Sequence, residues 1–302
     1  MEGFERRDIV VDDGVKLAVF DLPHADDDAP VLFLSNGLGG NVVTWRHQIR
    51  HFKERFRIAT WDYRGLYESA LPPAQRAPGA VKLDIPRHAK DAIAVLDALG
   101  IDRAVFLGWS MGVQLDFELF RRIPDRMLGL VQIAGSFGRS LSTTLFGKPG
   151  EKLIMPAMGV FKEVVRRAGG ILDRAVDSGV LIGAAKRLGV VAPSIDAALT
   201  GEIVKSYVKL DFDVYNRILA TLGDHDAFDV LPGLDRPVLV IAGDKDPMTP
   251  SWLSEKMVKA LPRATLEIVP GGSHYVPVEF PTRVNGAIDR FLDASFPDLL
   301  GA

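Results

Sequence analysis

The sequence predicts an α/β protein with a doubly wound, mostly parallel sheet and an inserted helical lid. Three observations carry this prediction. Short apolar runs end in Gly, Asp, Asn or Ser, as strands buried on both faces do. Segments with helical periodicity alternate with these runs, which implies right-handed crossovers between parallel strands. The alternation breaks once, over residues 137–226, where helical patterns continue without a strand-like run.

The strands and helices follow from these patterns in chain order. DIVVDDGVKLAVFDL (8–22) alternates apolar and polar residues around a DDG turn, which predicts a hairpin. The later strands are predicted at VLFLSNG (31–37), FRIATWD (56–62), AVFLGWS (104–110), LGLVQIAG (128–135), PVLVIAGD (237–244) and TLEIVPGG (265–272). Helices are predicted at residues 42–55, 86–99, 111–122, 251–261 and 281–292.

Residues 137–226 are predicted to form the helical lid. They contain the amphipathic stretches GVFKEVVRRAGGILDRAVDSGV and GEIVKSYVKLDFDVYNRILATL. An insertion after the sixth strand lies above the carboxyl ends of the strands, where ligands bind in open α/β sheets. We therefore divide the chain into a core, residues 1–136 and 227–302, and a lid, residues 137–226.

The composition is typical of a soluble globular protein. Of 302 residues, 47% are hydrophobic and 25% are charged, and the net charge is −3 without a block of like charges. Nothing in this balance indicates a nucleic acid or an anionic membrane as partner. The absence of cysteine excludes disulfides, zinc–thiolate sites and a cysteine nucleophile. With no secretory signal and no apolar stretch of membrane-spanning length, we expect a cytoplasmic protein.

The motif GWSMG (108–112) predicts a nucleophile elbow. It stands between a predicted strand and a predicted helix, which is the context that the motif requires. A serine in such a strained turn brings the residues two positions away close to neighbouring backbone, so glycine is needed there. The backbone N–H of Met111, at the start of the helix, would supply half of an oxyanion hole beside Ser110.

A serine nucleophile needs a base and an acid that orients the base. In this fold the chain order is serine, then Asp or Glu, then histidine. His225 and His274 both follow Ser110 at a distance, but only His274 follows the last strand, and we expect His225 on a solvated loop. Asp244 and Asp246 both follow the strand PVLVIAG, and position alone does not choose between them.

Four motifs together resemble the α/β-hydrolase family over nearly the whole chain outside the lid. They are SNGLGG (35–40), WDYRG (61–65), GWSMG (108–112), and AGDKDPMTP with GGSHYVPVEFP near the end. The family's acid commonly lies in G-x-x-D with proline four residues later, a spacing met by Gly243, Asp246 and Pro250. The resemblance therefore implies a triad of Ser110, Asp246 and His274, with Asp244 as the alternative acid.

The resemblance also implies the second oxyanion donor, the backbone N–H of Leu38. The family usually has a His-Gly pair before this donor, and here the pair is Asn36-Gly37. Asn36 would either anchor the loop or contact substrate. Asn36, Gly37 and Trp109 are our candidate substrate-binding residues, although packing beneath the elbow is the other interpretation of Trp109.

One further departure is Tyr67, where many relatives carry glycine. It is interpreted as a surface-loop change or as a residue that shapes the pocket.

The expected activity is hydrolysis of a small-molecule carboxylic ester, as a carboxylesterase or lipase, without cofactor or metal. Serine at the elbow argues against the dehalogenase and epoxide hydrolase chemistry of relatives with a carboxylate nucleophile. The apolar composition of the lid predicts a medium-length acyl chain. Three alternatives for the lid and the fold stay open: lid residues that only pack on one another, a lid that rests on a lipid surface, and a non-catalytic receptor. Carbon–carbon bond hydrolases and perhydrolase- or haloperoxidase-like relatives share the triad. The sequence makes no prediction of oligomeric state.

Overall fold

A computed structural model describes residues 3–139, 174, 178–187 and 191–297. Its sheet has eight strands, in the spatial order β1-β2-β4-β3-β5-β6-β7-β8. The strands are Glu5–Val10 (β1), Lys16–Leu22 (β2), Val31–Ser35 (β3), Arg57–Trp61 (β4), Ala104–Trp109 (β5), Met127–Ile133 (β6), Val238–Gly243 (β7) and Ala264–Val269 (β8). β1 and β2 pair antiparallel, as do β2 and β4, and the other pairs are parallel. The predicted fold class is confirmed.

The apolar runs form strands because both faces of the sheet are covered. Alternate side chains of each central strand enter different hydrophobic clusters. Phe33 and Phe106 belong to the cluster on one face, whereas Leu34 and Leu107 belong to the cluster on the other. A strand that buries both faces has no polar alternation, which is why the runs in the sequence are continuously apolar.

The helices lie close to their predicted positions in the core. The described α-helices are Arg46–Phe52, Pro73–Arg76, Ile85–Ala98, Met111–Arg122, Val180–Arg187, Ala197–Val208, Phe212–Leu222, Ser251–Ala260, Val276–Glu279 and Pro281–Ser295. None of the described helices is long and apolar enough to cross a membrane. The helix Met111–Arg122, hereafter the elbow helix, has the predicted bounds.

Three core regions differ from the prediction. The single helix expected at residues 42–55 is a 3-10 turn, Val42–Trp45, followed by an α-helix that ends at Phe52. The 3-10 turn begins at Val42 because the side chain of Asn41 accepts a hydrogen bond from the N–H of Val43 and caps the turn. The short helices Pro73–Arg76 and Val276–Glu279 were not predicted, since four residues are too few to show a helical period.

The predicted lid leaves the sheet and returns to it at one place. Gly138 and Asp226 form an isolated antiparallel bridge, and the N–H of Ala227 donates to the carbonyl of Phe137 at 2.9 Å. We call residues 137–139 and 225–227 the neck. The predicted stretch 201–222 forms two helices, because Asp211 caps the second. The predicted stretch 159–180 lies mostly outside the described residues, and the lid boundaries 137–226 stay a prediction.

The topology brings the candidate site residues to one edge of the sheet. Asn36, Ser110, Asp246 and His274 each follow a strand that runs in the same direction, namely β3, β5, β7 and β8. Carboxyl ends of parallel strands share an edge, so residues far apart in the chain lie near one another there.

Candidate active site

Ser110 occupies a sharp turn between β5 and the elbow helix. Its backbone dihedral angles are φ 55° and ψ −113°, a conformation that residues with a side chain rarely adopt. The N–H of Ser110 donates to the carbonyl of Ile133 on β6 at 3.0 Å, which ties the turn to the neighbouring strand. The strand, the strained turn and the helix form a nucleophile elbow.

Glycines flank this turn because their positions have no space for a side chain. A Cβ atom on Gly112 would lie 2.1 Å from the backbone carbonyl oxygen of Ser35 on β3. A Cβ atom on Gly108 would lie 2.5 Å from a carboxyl oxygen of Asp116 and 2.9 Å from the backbone of Gly112. Close packing of backbone segments therefore fixes the elbow.

The side chains of Ser110, His274 and Asp246 form one hydrogen-bonded chain. Nε2 of His274 lies 2.8 Å from Oγ of Ser110, and Nδ1 lies 2.8 Å from Oδ2 of Asp246. His274 and Asp246 are each 5% exposed, so water screens their interaction only weakly. A proton on Nδ1 directed at the carboxylate leaves the lone pair of Nε2 to accept the serine proton.

A turn after β7 holds the Asp246 carboxylate in place. Oδ1 accepts hydrogen bonds from the N–H groups of Met248 and Thr249 at 2.7 and 3.0 Å, and Oδ2 accepts from the Thr249 hydroxyl at 2.6 Å. Burial by itself raises the pKa of Asp246, but the charge of His274 and the hydrogen bonds from His274 and Thr249 lower it below its ordinary value. Asp246 therefore stays ionised beside the imidazole.

Residues 37–40 form a tight turn, here called the oxyanion turn, beside Ser110. The N–H of Gly40 donates to the carbonyl of Gly37 at 2.8 Å, and Gly39 has φ 75°. A positive φ at the third position is typical of a type II turn. A Cβ atom on Gly37 would lie 3.2 Å from the Cβ of Ser110, so the turn lies directly against Ser110.

Leu38 and Met111 offer the two backbone N–H groups expected to bind an oxyanion. The N–H of Leu38 shares a planar peptide with the Gly37 carbonyl and points opposite to it. Because Gly40 holds that carbonyl, the direction of the Leu38 N–H is fixed. Met111 is the first residue of the elbow helix, where backbone N–H groups have no partner within the helix. Both groups can donate to an anionic oxygen that forms beside Ser110.

The Asn36 side chain is buried and hydrogen-bonded at both ends. Its Nδ2 donates to the carbonyl of Trp61 at 2.8 Å, and its Oδ1 accepts from the indole N–H of Trp45 at 2.9 Å. These bonds engage the amide within the protein and anchor the oxyanion turn to β4. The assignment of Asn36 as a substrate-binding residue is therefore corrected to an anchoring role.

Trp109 packs beneath the oxyanion turn and is 2% exposed. A Cβ atom on Gly37 would lie 2.7 Å from its ring, and one on Gly40 would lie 3.0 Å from it. The indole N–H donates to the backbone carbonyl of His274 at 2.9 Å. Trp109 therefore supports both the turn and the histidine, and its assignment as a substrate-binding residue is corrected. Gly37, through its backbone, remains a candidate for substrate contact.

Tyrosine hydroxyls hold the oxyanion turn, a feature that the sequence analysis missed. Each of three carbonyl groups accepts a hydrogen bond from a different tyrosine. The pairs are Tyr63 with Asn36 at 2.6 Å, Tyr207 with Leu38 at 3.2 Å, and Tyr67 with Gly39. The interpretation of Tyr67 as a surface-loop change is therefore wrong, since its hydroxyl contacts the turn.

Glu279 braces the segment that carries His274, and it was also missed. Its carboxylate accepts hydrogen bonds from the N–H and the hydroxyl of Ser273 at 2.7 and 2.6 Å. It also accepts from the N–H of Ala192, in the predicted lid, at 2.7 Å. Glu279 is 2% exposed, so these bonds have little competition from water. The carboxylate thereby joins the histidine segment to the lid.

Asp116 is a second buried carboxyl group, and it lies directly under the elbow. Its oxygens accept hydrogen bonds from the Ser35 hydroxyl at 2.6 Å and the Gln132 amide at 2.9 Å. Burial raises the pKa of Asp116 to about 7, although these hydrogen bonds lower it in part. The group links β3, β6 and the elbow helix at the base of the site.

Two other candidates lie away from the hydrogen-bonded chain. Asp244, the alternative acid, accepts a hydrogen bond from the N–H of Gly271 at 2.6 Å. The side chain of His225, expected to be solvated, is only 7% exposed, and its Nε2 lies 3.4 Å from a carboxylate oxygen of Glu118. The described residues contain no group of three or more His, Asp or Glu side chains that could hold a metal ion.

The sequence is similar to a known protein family and to several known hydrolases. The sequence profile described as "Alpha/beta hydrolase family" matches residues 31–287. The 3-oxoadipate enol-lactonase 2 of Acinetobacter baylyi is 28% identical over 267 residues, which cover 88% of this chain and 89% of the relative. The putative carbamate hydrolase RutD of Caulobacter segnis is 28% identical over 296 residues, which cover 94% and 98%.

Solved structures show the same fold. The enol-lactonase from Burkholderia xenovorans superposes with a TM-score of 0.72 at 23% identity, and the match covers 95% of this chain and 99% of that one. A thermophilic esterase from Thermogutta terrifontis gives a TM-score of 0.69 at 22% identity, with coverage of 96% and 99%. At these identities the likeness concerns the fold alone.

Proposed function

This chain belongs to the alpha/beta hydrolase family, and on that premise we propose that it is a serine hydrolase that cleaves carboxylic esters through an acyl-enzyme on Ser110. One observation carries the proposal. The hydrogen-bonded chain from Ser110 through His274 to Asp246 is unbroken, with 2.8 Å at each junction. Such a chain is the arrangement by which a neutral hydroxyl becomes a nucleophile at ordinary pH.

In the proposed reaction, His274 Nε2 removes the proton from Ser110 as Oγ attacks the ester carbonyl. Asp246 keeps Nδ1 protonated and stabilises the imidazolium that forms. The N–H groups of Leu38 and Met111 bind the oxyanion, and loss of one such donor typically costs roughly 100-fold or more in turnover. His274 then gives its proton to the leaving alcohol. A water molecule, deprotonated by His274 in turn, hydrolyses the acyl-enzyme and restores the serine.

We propose an apolar acyl chain of medium length for the substrate. The support is the composition of the predicted lid and the apolar surroundings of the histidine segment. Leu199 and Ile203, on the helix Ala197–Val208, pack in a cluster that includes Val278 and borders Tyr275. In the described part of the lid, Leu199 and Ile203 pack on neighbouring side chains, so their apolar character does not by itself indicate a binding site for an acyl chain. Turnover measured over a series of acyl chain lengths is therefore the decisive test.

A lactone is the second candidate substrate. An enol-lactonase is among the relatives at 28% identity over most of both chains. A lactone is an ester within a ring, so Ser110 would open it by the same acyl transfer, and the leaving alcohol would stay attached to the acyl group. The name of the putative carbamate hydrolase RutD adds carbamates as substrates to test.

The experiment is a comparison of the parent protein with Ser110→Ala. A fluorophosphonate probe should label the parent on Ser110 and leave the variant unlabelled. Hydrolysis should then be measured for p-nitrophenyl esters of increasing chain length, for a set of simple lactones and for aryl carbamates. We expect turnover of esters by the parent, with a maximum at medium chain length, and loss of about 10⁴-fold or more in Ser110→Ala.

Other outcomes would redirect or overturn the proposal. Activity that rises only on emulsified long-chain esters would mark a lipase. Cleavage of a carbon–carbon bond in a dienone acid, or peroxyacid formation, without ester turnover would overturn ester hydrolysis and keep the triad. A parent that binds ligands, remains unlabelled and turns nothing over would be a receptor and would overturn the proposal entirely.

A further inference from the structure

Every carbonyl group from Asn36 to Gly39 has a hydrogen-bond donor. Three of the donors are the hydroxyls of Tyr63, Tyr67 and Tyr207, and the fourth, for Gly37, is the N–H of Gly40. In a planar trans peptide, the direction of the carbonyl fixes the direction of the next N–H. These four contacts therefore fix the orientation of four consecutive peptide groups, including the one that carries the Leu38 N–H.

The donors come from different parts of the chain. Tyr63 and Tyr67 follow β4 in the core, whereas Tyr207 lies on the helix Ala197–Val208 of the predicted lid. Tyr207 also packs on the turn, since a Cβ atom on Gly39 would lie 2.7 Å from its ring carbon Cε1. The lid thus contributes one of the four restraints, at the peptide directly after the proposed oxyanion donor.

The Tyr207 side chain also lies close to the histidine segment. Tyr207 and Tyr275 both pack against the apolar cluster that contains Leu199 and Val278. The Leu38 carbonyl can only accept, so Tyr207 donates to it. Burial raises the pKa of Tyr207 well above its usual value, so the hydroxyl stays a donor throughout the working pH range. Tyr275 follows His274 directly and packs on Trp109, with 5.6 Å between ring centroids.

We propose that Tyr207 is a positioning residue that couples the lid to the oxyanion site. Its hydroxyl holds the Leu38 carbonyl, and its ring packs against the same cluster as Tyr275, the residue after His274. Catalysis by the core would therefore depend on a contact made by the lid. This inference rests on the proposed serine hydrolase function and adds to it a residue that does not touch the substrate.

Tyr207→Phe tests the proposal because it removes the hydroxyl and keeps the ring. A neutral hydrogen bond contributes about 1 kcal/mol, and 1.36 kcal/mol corresponds to tenfold in rate, so we expect a loss of about three- to tenfold. The loss should appear in kcat and in the rate of Ser110 labelling by the fluorophosphonate, with KM changed by less than about twofold. Affinity for an arylboronic acid, whose adduct on Ser110 puts an oxygen at the oxyanion position, should fall by the same factor.

Tyr215→Phe is the matched control. A ring carbon of Tyr215 lies 3.0 Å from the Cβ position on Gly39, so this tyrosine contacts the same turn through its ring. We expect kcat, labelling and boronate affinity to stay within about twofold of the parent. Equal losses in Tyr207→Phe and Tyr215→Phe would overturn the proposal, because they would report a general disturbance of the lid.

Amide hydrogen exchange separates failure of this inference from failure of the proposed function. Faster exchange over residues 36–40 in Tyr207→Phe, and not in Tyr215→Phe, supports the restraint. Unchanged exchange, labelling and kcat in Tyr207→Phe would overturn the inference and leave the serine hydrolase proposal intact. A parent protein that is not labelled by the fluorophosphonate and does not turn over esters would overturn the proposed function. The role of Tyr207 in catalysis would fall with it, and amide hydrogen exchange would then report only whether the Tyr207 hydroxyl holds the turn.

Discussion

The elbow and the loops that face it are held in place by different forces. The elbow at Ser110 is fixed by close backbone packing, with Gly112 pressed against the carbonyl of Ser35. The oxyanion turn and the His274 segment are held by hydrogen bonds from distant side chains, among them Tyr207 and Glu279. Steric contact between backbone segments fixes the elbow, the steric half of the site. Hydrogen bonds that can be removed one at a time hold the facing loops, the hydrogen-bonded half.

This difference predicts how each half responds to change. A steric constraint between backbone segments has no flexible partner that can move aside, so a single added atom disrupts it. A hydrogen-bonded loop loses one contact at a time, and each contact is worth about 1 kcal/mol when both partners are neutral. We therefore expect large, abrupt effects at the elbow and small, graded effects at the facing loops.

The largest expected effect is that of Gly112→Ala. The added Cβ would meet the backbone of Ser35 at 2.1 Å, and neither side can rotate away. We expect a loss of at least about 3 kcal/mol in the free energy of unfolding, measured by urea denaturation, together with loss of Ser110 labelling.

Gly39→Ala is the matched substitution in the oxyanion turn. Gly39 has φ 75°, and its added Cβ would lie 2.7 Å from a ring carbon of Tyr207, which can shift. A left-handed residue with a side chain costs about 1–2 kcal/mol, so the loss of stability should be smaller than that of Gly112→Ala. Equal losses at the two glycines would contradict the distinction between the two halves of the site.

Asp246→Asn should have the next largest effect, on turnover rather than on the fold. An amide at this position keeps the volume but no longer holds Nδ1 of His274 protonated, and such a change lowers kcat by about 10⁴-fold in enzymes with this triad. The measurement is kcat on the best ester, with the melting temperature as the check on folding. Asp244→Asn is the control, because Asp244 bonds to the N–H of Gly271, and near-parental kcat is expected from it.

Asp116→Asn tests the base of the elbow through pH. The pKa of Asp116 is raised to about 7 in the folded protein, above its unfolded value, so the folded state binds this proton more tightly. Its contribution to stability is complete at low pH and is lost as pH rises from about 4 to 7, on the order of 2–4 kcal/mol.

The stability difference between the parent and Asp116→Asn should therefore fall across that range and then level off. Asp62, whose pKa burial also raises to about 7, is present in both proteins and cancels in the difference. A pH-independent difference would show that folding does not raise the pKa of Asp116.

Glu279→Gln should have the smallest effect. The amide would turn an N–H toward Ser273 or Ala192, both of which donate to the carboxylate in the parent. We expect a loss of about 1–3 kcal/mol in stability and a less than about tenfold loss in turnover. Glu255→Gln, at an exposed position on the helix Ser251–Ala260, is the control and should lie within about 0.5 kcal/mol of the parent. A loss of turnover of about 100-fold or more in Glu279→Gln, as large as that expected on loss of an oxyanion donor, would show that the His274 segment is as sensitive as the elbow.

The sequence predicted the elbow, the steric half of the site, because the residues that indicate it are neighbours along the chain. The glycines of GWSMG, the apolar run before them and the helical spacing after them lie within a few residues of Ser110. Asp246 was chosen because its spacing to Gly243 and Pro250 resembles the family's pattern, and the confirmed fold class followed from the order of apolar runs. Each of these inferences used neighbours along the chain.

The hydrogen-bonded half could not be read in the same way. Tyr207 lies 169 positions from Leu38 in the sequence, and only the folded chain brings its hydroxyl to that carbonyl. Nothing about an isolated Tyr or Glu distinguishes a buried support from a surface residue. Thr249 is the exception in distance along the chain, since its hydroxyl bonds at 2.6 Å to Asp246, only three residues earlier.

The neck has a consequence for how this protein can change. The chain departs from the sheet and comes back across one bridge, Gly138 with Asp226, so everything between these residues can be exchanged while the strand order is left as it is. A graft from a relative, joined at these two points, should yield a folded chimera only if it also supplies apolar side chains at the positions of Val214 and Ile218, which are buried in the main core cluster. The chimera would keep its rate only if the incoming segment supplies a hydroxyl for the Leu38 carbonyl.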